Sequence, residues 1–384
     1  MTRRTEARTI SMLMEEERQQ AQARVGTMLK GKWRLERLLG VGGMAAVYAA
    51  THRIGRQDAI KILHASVSRS RELRQRFEQE AHAVNRFSHP GAVEVRDIDV
   101  TDEGEPFLVM ELLEGQSLSE RVGPKAEIET GELLRYVDEL LDVLVAAHAE
   151  GIIHRDIKPD NLFIQQDGSL KVLDFGIARM REGASKAQLT MVGARLGTVP
   201  YMPPEQVRGL PIDPRADLFA IGAMMFRLIA KRRVHEAPTE AEMVAKMTAD
   251  PAVPLSFAAE HAPAEVCMVV DRALAFDPDR RYPDAATMQQ DVQAARQGQE
   301  PPYAAAEIQR SGQPNEGMTR EVISTLFAAP PASAEGRVVL GGAAAAAAAP
   351  GLGDAATAAT SVGSASAQAA IGEMPTSAAS PPPS

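Results

Sequence analysis

Residues 153–161 read Ile-His-Arg-Asp-Ile-Lys-Pro-Asp-Asn, and no other stretch narrows the architecture as much. His154, Arg155, Asp156 and Lys158 are crowded together, and Asn161 follows three positions on. Apolar flanks, Gly151-Ile152-Ile153 before and Leu162-Phe163-Ile164 after, pin both ends in a core. A loop built this way can bring a carboxylate, an ammonium and a carboxamide into one cleft. Thirteen positions past Asn161 comes Asp174-Phe175-Gly176, at the end of the alternating run Leu170-Lys171-Val172-Leu173.

The chain has 384 residues, room for two ordinary domains or for one large domain with tails. Its 45% hydrophobic content is ample for a core. The net charge of −9 gives no support to nucleic-acid binding, which leaves a basic footprint. Cys267 is the single cysteine, which rules out an internal disulfide and suits a reducing compartment. It lies in an apolar helical pattern, Val266-Cys267-Met268-Val269-Val270, where an inert core thiol is expected. No stretch reaches the roughly 18 uninterrupted apolar residues of a membrane span, and Arg3-Arg4 is followed by no apolar signal core. The expectation is a cytoplasmic protein with no membrane span and no nucleic-acid partner.

Residues 1–25 are polar, with a weak helical stripe at Ile10, Leu13 and Met14. A helix of that length is marginal in water, so a flexible or loosely docked extension is expected. Residues 26–33 fit the phosphate-loop pattern G-x-x-x-x-G-K, but Trp33 stands where Ser or Thr would hold magnesium, and no buried strand precedes it. Leu35–Val47 reads as strand, turn and strand, the turn being Gly40-Val41-Gly42-Gly43-Met44-Ala45. Glycines there let backbone N–H groups approach phosphate oxygens with no Cβ in the way. A dinucleotide-binding fold would run from this turn into a helix, whereas residues 46–50 read as a second strand. Lys61 lies inside the next apolar run, where a cation needs a counter-charge. The candidate is Glu80: Leu73, Phe77, Val84 and Phe87 predict a helix over 69–87, and Glu80 can face the same interior as Lys61.

Strand-like runs follow at 92–100 and 107–110, then Glu111–Gly115, and a helical pattern over 128–150. Past Asp174, Asp217 leads an apolar helix within 213–229, and helical patterns run to about 297. Beyond about residue 300 the chain turns to Ala, Gly, Pro and Ser and cannot bury enough apolar surface to order itself. Within it, Met318, Val322, Ile323, Leu326 and Phe327 fall on one helical face.

Residues 154–161 match H-R-D-x-K-x-x-N at every fixed position. With Asp174-Phe175-Gly176 they resemble the catalytic and metal-binding loops of protein kinases. Other motifs follow in the family's order: the glycine turn, with Ala45 for the third glycine, and Lys61 with Glu80. Residues 197–205 resemble the end of an activation segment, with Pro203 where alanine is usual, and Arg281 matches the arginine that pairs with the acid at Glu205. The resemblance covers about residues 33–297 and is to eukaryotic-like serine/threonine protein kinases of the soluble bacterial sort. It implies a two-lobed α+β fold: a small antiparallel-sheet N-lobe with one main helix (about 33–111) and a larger helical C-lobe (about 116–297). The domain would span 26–300, with a disordered tail at 301–384.

The resemblance also implies ATP, with Mg²⁺ or Mn²⁺, as cofactors and protein Ser/Thr hydroxyls as acceptors. Asp156 is expected to orient the acceptor, Lys158 to balance charge on the transferred phosphate, and Asp174 and Asn161 to hold the metals. Gly40, Val41, Gly42 and Gly43 would cover the phosphates, and Lys61, oriented by Glu80, would grip them. Val47, Ala59 and Phe163 would sandwich adenine, with Met110 behind and the backbone of Glu111 and Leu113 at its edge. Arg155 would bind a phosphate on the activation segment, at Thr190, while Thr198 would contact Asp156 and Lys158. Met318–Phe327 is a candidate docking helix for this chain or a partner. A scaffold that presents its tail and a small-molecule phosphotransferase are the alternatives; the latter would not need residues 198–205, which resemble a peptide-docking platform.

Overall fold

The computed structural model describes residues 15–68, 87–125, 127–175 and 199–311. The small lobe is a six-stranded antiparallel sheet of β1 (Met28–Leu29), β2 (Trp33–Val41), β3 (Ala45–His52), β4 (Gln57–Leu63), β5 (Val95–Val100) and β6 (Pro106–Glu111), in the order β1-β2-β3-β4-β6-β5. Successive residues of a strand face opposite sides, and here both sides are apolar. Trp33, Leu35, Ala46, Tyr48, Ile60, Ile62, Phe107 and Val109 form one cluster. Ala45, Ala59, Leu63, Leu108 and Met110 form the other, joined by Leu113 and Leu173.

The first cluster is closed by the N-terminal segment. Residues 15–23 form helix α1, in which Ala21 is buried. Tyr48 Oη donates to Ala21 O at 3.1 Å, and Arg24 pairs with Glu105 at 2.6 Å. Burial pushes the Tyr48 hydroxyl up to about 12. Of the extension expected to be flexible or loosely docked, the part from residue 15 onward is docked, because the outer face of the sheet offers α1 an apolar surface that an isolated helix lacks.

The larger lobe is helical. Helices α2 (Thr130–Ala149), α3 (Arg215–Ala230), α4 (Ala264–Ala273) and α5 (Ala285–Arg296) share one core. α3 is buried nearly all round, as its apolar sequence requires. The fold continues past the boundary expected at 301. Helix α6 (Pro302–Ser311) packs through Ala304, and the buried Asp291 of α5 accepts the N–H groups of Tyr303 (2.9 Å) and Ala304 (2.7 Å). A carboxylate there satisfies two N–H groups that a helix start leaves without intrahelical partners. Residues 312–384, including Met318–Phe327, lie outside the described residues.

A three-stranded sheet, β7 (Gly115–Ser117), β8 (Leu162–Gln165) and β9 (Leu170–Val172), joins the end of β6 to the loops at 153–161 and 173–175. Glycine is obligatory at 115: its φ is 150°, and a Cβ would lie 2.0 Å from the Ile164 carbonyl oxygen.

Candidate active site

The loop between α2 and β8 is held from below by one buried acid. Asp217, at the head of α3, accepts the backbone N–H of His154 through Oδ2 (2.8 Å) and of Arg155 through Oδ1 (2.7 Å). His148 Nε2 lies 2.9 Å from Oδ2. The His154 ring reaches the other way, with Nε2 at 2.8 Å from Leu173 O. A carbonyl can only accept, so Nε2 carries the proton and Nδ1 is left to accept the Asp156 N–H at 3.3 Å. One histidine thus fixes the loop to the residue before Asp174. Phe175 is buried beside it, its ring 4.8 Å from that of His154 and 5.3 Å from that of Phe87.

On this frame Asp156, Lys158 and Asn161 converge. Lys158 Nζ donates to Asp156 Oδ2 at 2.7 Å. Asn161 Nδ2 donates to the same oxygen at 3.1 Å and to Asp156 O at 2.7 Å. Among the described residues, the buried Asp156 Oδ1 has no hydrogen-bond partner. Asn161 O accepts the Leu173 N–H at 2.9 Å, which ties this loop again to the one that carries Asp174.

Asp174 faces the small lobe. Its Oδ1 lies 2.6 Å from Lys61 Nζ on β4, and its backbone has the left-handed φ of 60°. Burial alone would push its carboxyl up. The Lys61 charge and hydrogen bond, with the charge of Lys158, outweigh that and hold it below the ordinary carboxylate range. Lys61 therefore has a counter-charge, as its place in an apolar strand demands. That partner is Asp174; Glu80 lies outside the described residues.

Toward the mouth of the cleft, Val47, Ala59, Met110 and Leu113 belong to one apolar cluster. Phe163 lines a cavity of about 680 Å³ with Leu113, Leu39 and Ala49. The Glu111 N–H is taken by Glu94 O (3.0 Å) and its carboxylate by Lys171 (2.6 Å). Gly40 pairs with Val47 and Val41 with Ala46, so the glycine turn caps the β2–β3 hairpin. Gly40 has no positive φ, and a Cβ on it would meet no protein atom within 4 Å.

The family model for the protein kinase domain matches residues 33–293. The chain belongs to the protein kinase family. Its relatives place it with the bacterial serine/threonine kinases. It is 40% identical over 277 residues to the serine/threonine-protein kinase Pkn1 of Myxococcus xanthus, covering 69% of this chain and 38% of that one. To PknA of Mycobacterium tuberculosis it is 32% identical over 284 residues, covering 73% of this chain and 64% of the relative. The chain thus spans less than half the length of several curated relatives that it matches. The crystal structure of the M. tuberculosis PknI kinase domain is similar at a TM-score of 0.55 and 26% identity, covering 70% of this chain and 98% of that one.

In this kinase domain, the pairing expected between Arg281 and Glu205 is present and bidentate, at 2.7 and 2.9 Å, with Arg281 only 2% exposed. Thr190 and Thr198 lie outside the described residues. The sequence marks Asp217 only as the head of an apolar helix, and an acid leading such a helix is the one local signal for its role. No helix among the described residues is long and apolar enough to cross a membrane. Among them there is also no cluster of three His, Cys, Asp or Glu that could hold a metal. A Mg²⁺ site does not require one, since one or two carboxylates with substrate phosphates suffice.

Proposed function

We propose that this protein is an ATP-dependent serine/threonine protein kinase that acts in the cytoplasm on protein hydroxyls and on its own activation segment. The observation that carries this is the Lys61–Asp174 contact at 2.6 Å. It joins the strand behind the glycine turn to the loop packed against Asp156, so phosphate-binding and transfer groups share one cleft. Gly40 is compatible with the same reading, since open space and not protein lies where its Cβ would be.

Bound ATP supplies the phosphoryl group, and Mg²⁺ or Mn²⁺ neutralises the charge that develops on it. The chain's work is alignment. Asp156 Oδ1 is the acceptor left to receive the proton of a Ser or Thr hydroxyl. Lys158, 2.7 Å from the other Asp156 oxygen, faces the transferred group. Asn161 and Asp174 hold the metals, and Lys61 holds the α/β-phosphates. Val47, Ala59 and Phe163 enclose adenine, with Met110 behind. Since the Glu111 N–H is already used, its carbonyl and the Leu113 backbone serve the adenine edge. Arg155 receives a phosphate at Thr190 bidentately, and Met318–Phe327 docks on this chain or a partner.

Incubation with γ-labelled ATP and Mg²⁺, followed by mapping of the modified residues, tests this. Label on Ser and Thr, Thr190 included, is expected, and Lys61→Met should abolish it without unfolding the protein. Equal labelling by that variant would remove Lys61 from the mechanism. Label that reaches only small molecules would replace the protein-kinase reading with a small-molecule phosphotransferase.

A further inference from the structure

The glycine turn is held from behind by one residue that nothing above assigns. His64, the first residue after β4, donates its backbone N–H to Met44 O at 2.9 Å. Its ring Nε2 lies 2.8 Å from Gly42 O. The carbonyl can only accept, so Nε2 carries the proton. The side chain is 12% exposed, and Glu17 Oε2 of α1 lies 3.8 Å from the same nitrogen. Inside the turn, the Gly42 N–H is already spent on Ala45 O at 2.8 Å.

We infer that His64 is a positioning residue for phosphate recognition, acting through the Gly42 carbonyl. In a trans peptide the carbonyl of one residue and the N–H of the next point in opposite directions. Anchoring Gly42 O on His64 therefore turns the Gly43 N–H away from His64 and stops that peptide from rotating. With the Gly42 N–H closed inside the turn, the Gly43 N–H is the donor this peptide plane offers to a phosphate oxygen. Two successive glycines leave the plane free to rotate unless something outside the turn holds it. The contact explains how a turn flexible enough to admit a nucleotide still presents a directed donor. The inference rests on reading the cleft as an ATP site.

The test is calorimetric titration of the full chain with ATP, ADP and adenosine. The wild type is expected to bind both nucleotides more tightly than adenosine. His64→Ala should weaken ATP and ADP about three- to tenfold, the worth of one hydrogen bond, and leave adenosine unchanged. His64→Gln, whose amide keeps a donor at similar reach, should recover most of the loss. An equal loss for all three ligands, or no loss for any, overturns the role of His64. A wild-type protein that does not prefer ATP to adenosine overturns the nucleotide reading, and that is seen before any variant is made.

Discussion

Asp217 reaches 62 residues back along the chain to hold Arg155 in a left-handed conformation: its Oδ1 accepts the Arg155 N–H at 2.7 Å, and Arg155 has a φ of 68°. A non-glycine residue in that region carries strain and persists only where its surroundings hold it. The second oxygen of the same fully buried carboxylate holds His154 at 2.8 Å. Asp217→Ala leaves two N–H groups without their acceptor, at about 1–3 kcal/mol each. We expect a folded but less stable protein whose phosphotransfer rate falls by at least an order of magnitude. Melting curves and rates measured on the same preparation check this. A full rate in the variant would mean that the loop holds its shape without Asp217.

Asp156 is expected to act in transfer and not in nucleotide binding. Asp156→Asn keeps the shape of the side chain and removes its charge and basicity. The turnover rate should fall by two orders of magnitude or more, in the range that a positioned proton acceptor contributes. The affinity for ATP should change little. Single-turnover kinetics and equilibrium titration separate the two, and a parallel loss of affinity would argue against the assignment.

The Arg281–Glu205 pair makes a distinct thermodynamic prediction. Arg281 is buried, donates to both Glu205 oxygens and to Ala275 O at 2.8 Å, and lies 4.7 Å from the Phe219 ring. Removing one partner strands the other, at roughly 3–5 kcal/mol, whereas apolar replacement of both is far milder. Arg281→Met should therefore destabilise strongly, and adding Glu205→Leu should restore much of the loss. Urea midpoints of the single and double variants decide it; additive losses would show that the two residues act independently.

Asp271 sets a pH dependence. Burial pushes its carboxyl up to about 7, only partly offset by the Leu255 N–H that it accepts at 2.7 Å. The folded state thus binds a proton more tightly than the unfolded chain. The stability this contributes is complete below about pH 4 and is lost as pH rises through about 7. Asp271→Asn cannot ionise. It should match the wild type near pH 4 and exceed it at pH 8 by on the order of a few kcal/mol. Denaturant melts of both proteins at the two pH values check the sign, and a difference that does not vary with pH would refute it. Nearby, burial pushes the Cys267 thiol up to about 11, in keeping with the inert core thiol read from its apolar neighbours.

Chemistry carried by neighbours in the chain was legible before any coordinates. The crowding of His154, Arg155, Asp156, Lys158 and Asn161 defines a polar loop between apolar anchors. The hairpin around Gly40–Ala45 follows from glycine flanked by strand-like runs, and Cys267 reads as core because its neighbours are apolar. These features rest on short-range sterics and hydrophobic periodicity, which adjacent residues encode. Apart from Arg281 and Glu205, whose pairing the family resemblance implies, tertiary structure alone decided which distant groups meet. Lys61 finds Asp174 across 113 residues, and Asp217 finds the Arg155 N–H across 62. The extent of the fold was hidden in the same way. Residues 15–23 and 302–311 are too short to hold as helices alone, and they are ordered by Tyr48 and by Asp291, which no local pattern places beside them. A hydrogen bond or ion pair needs its partners within a few ångströms, and spacing along the chain says little about that distance until the lobes have folded.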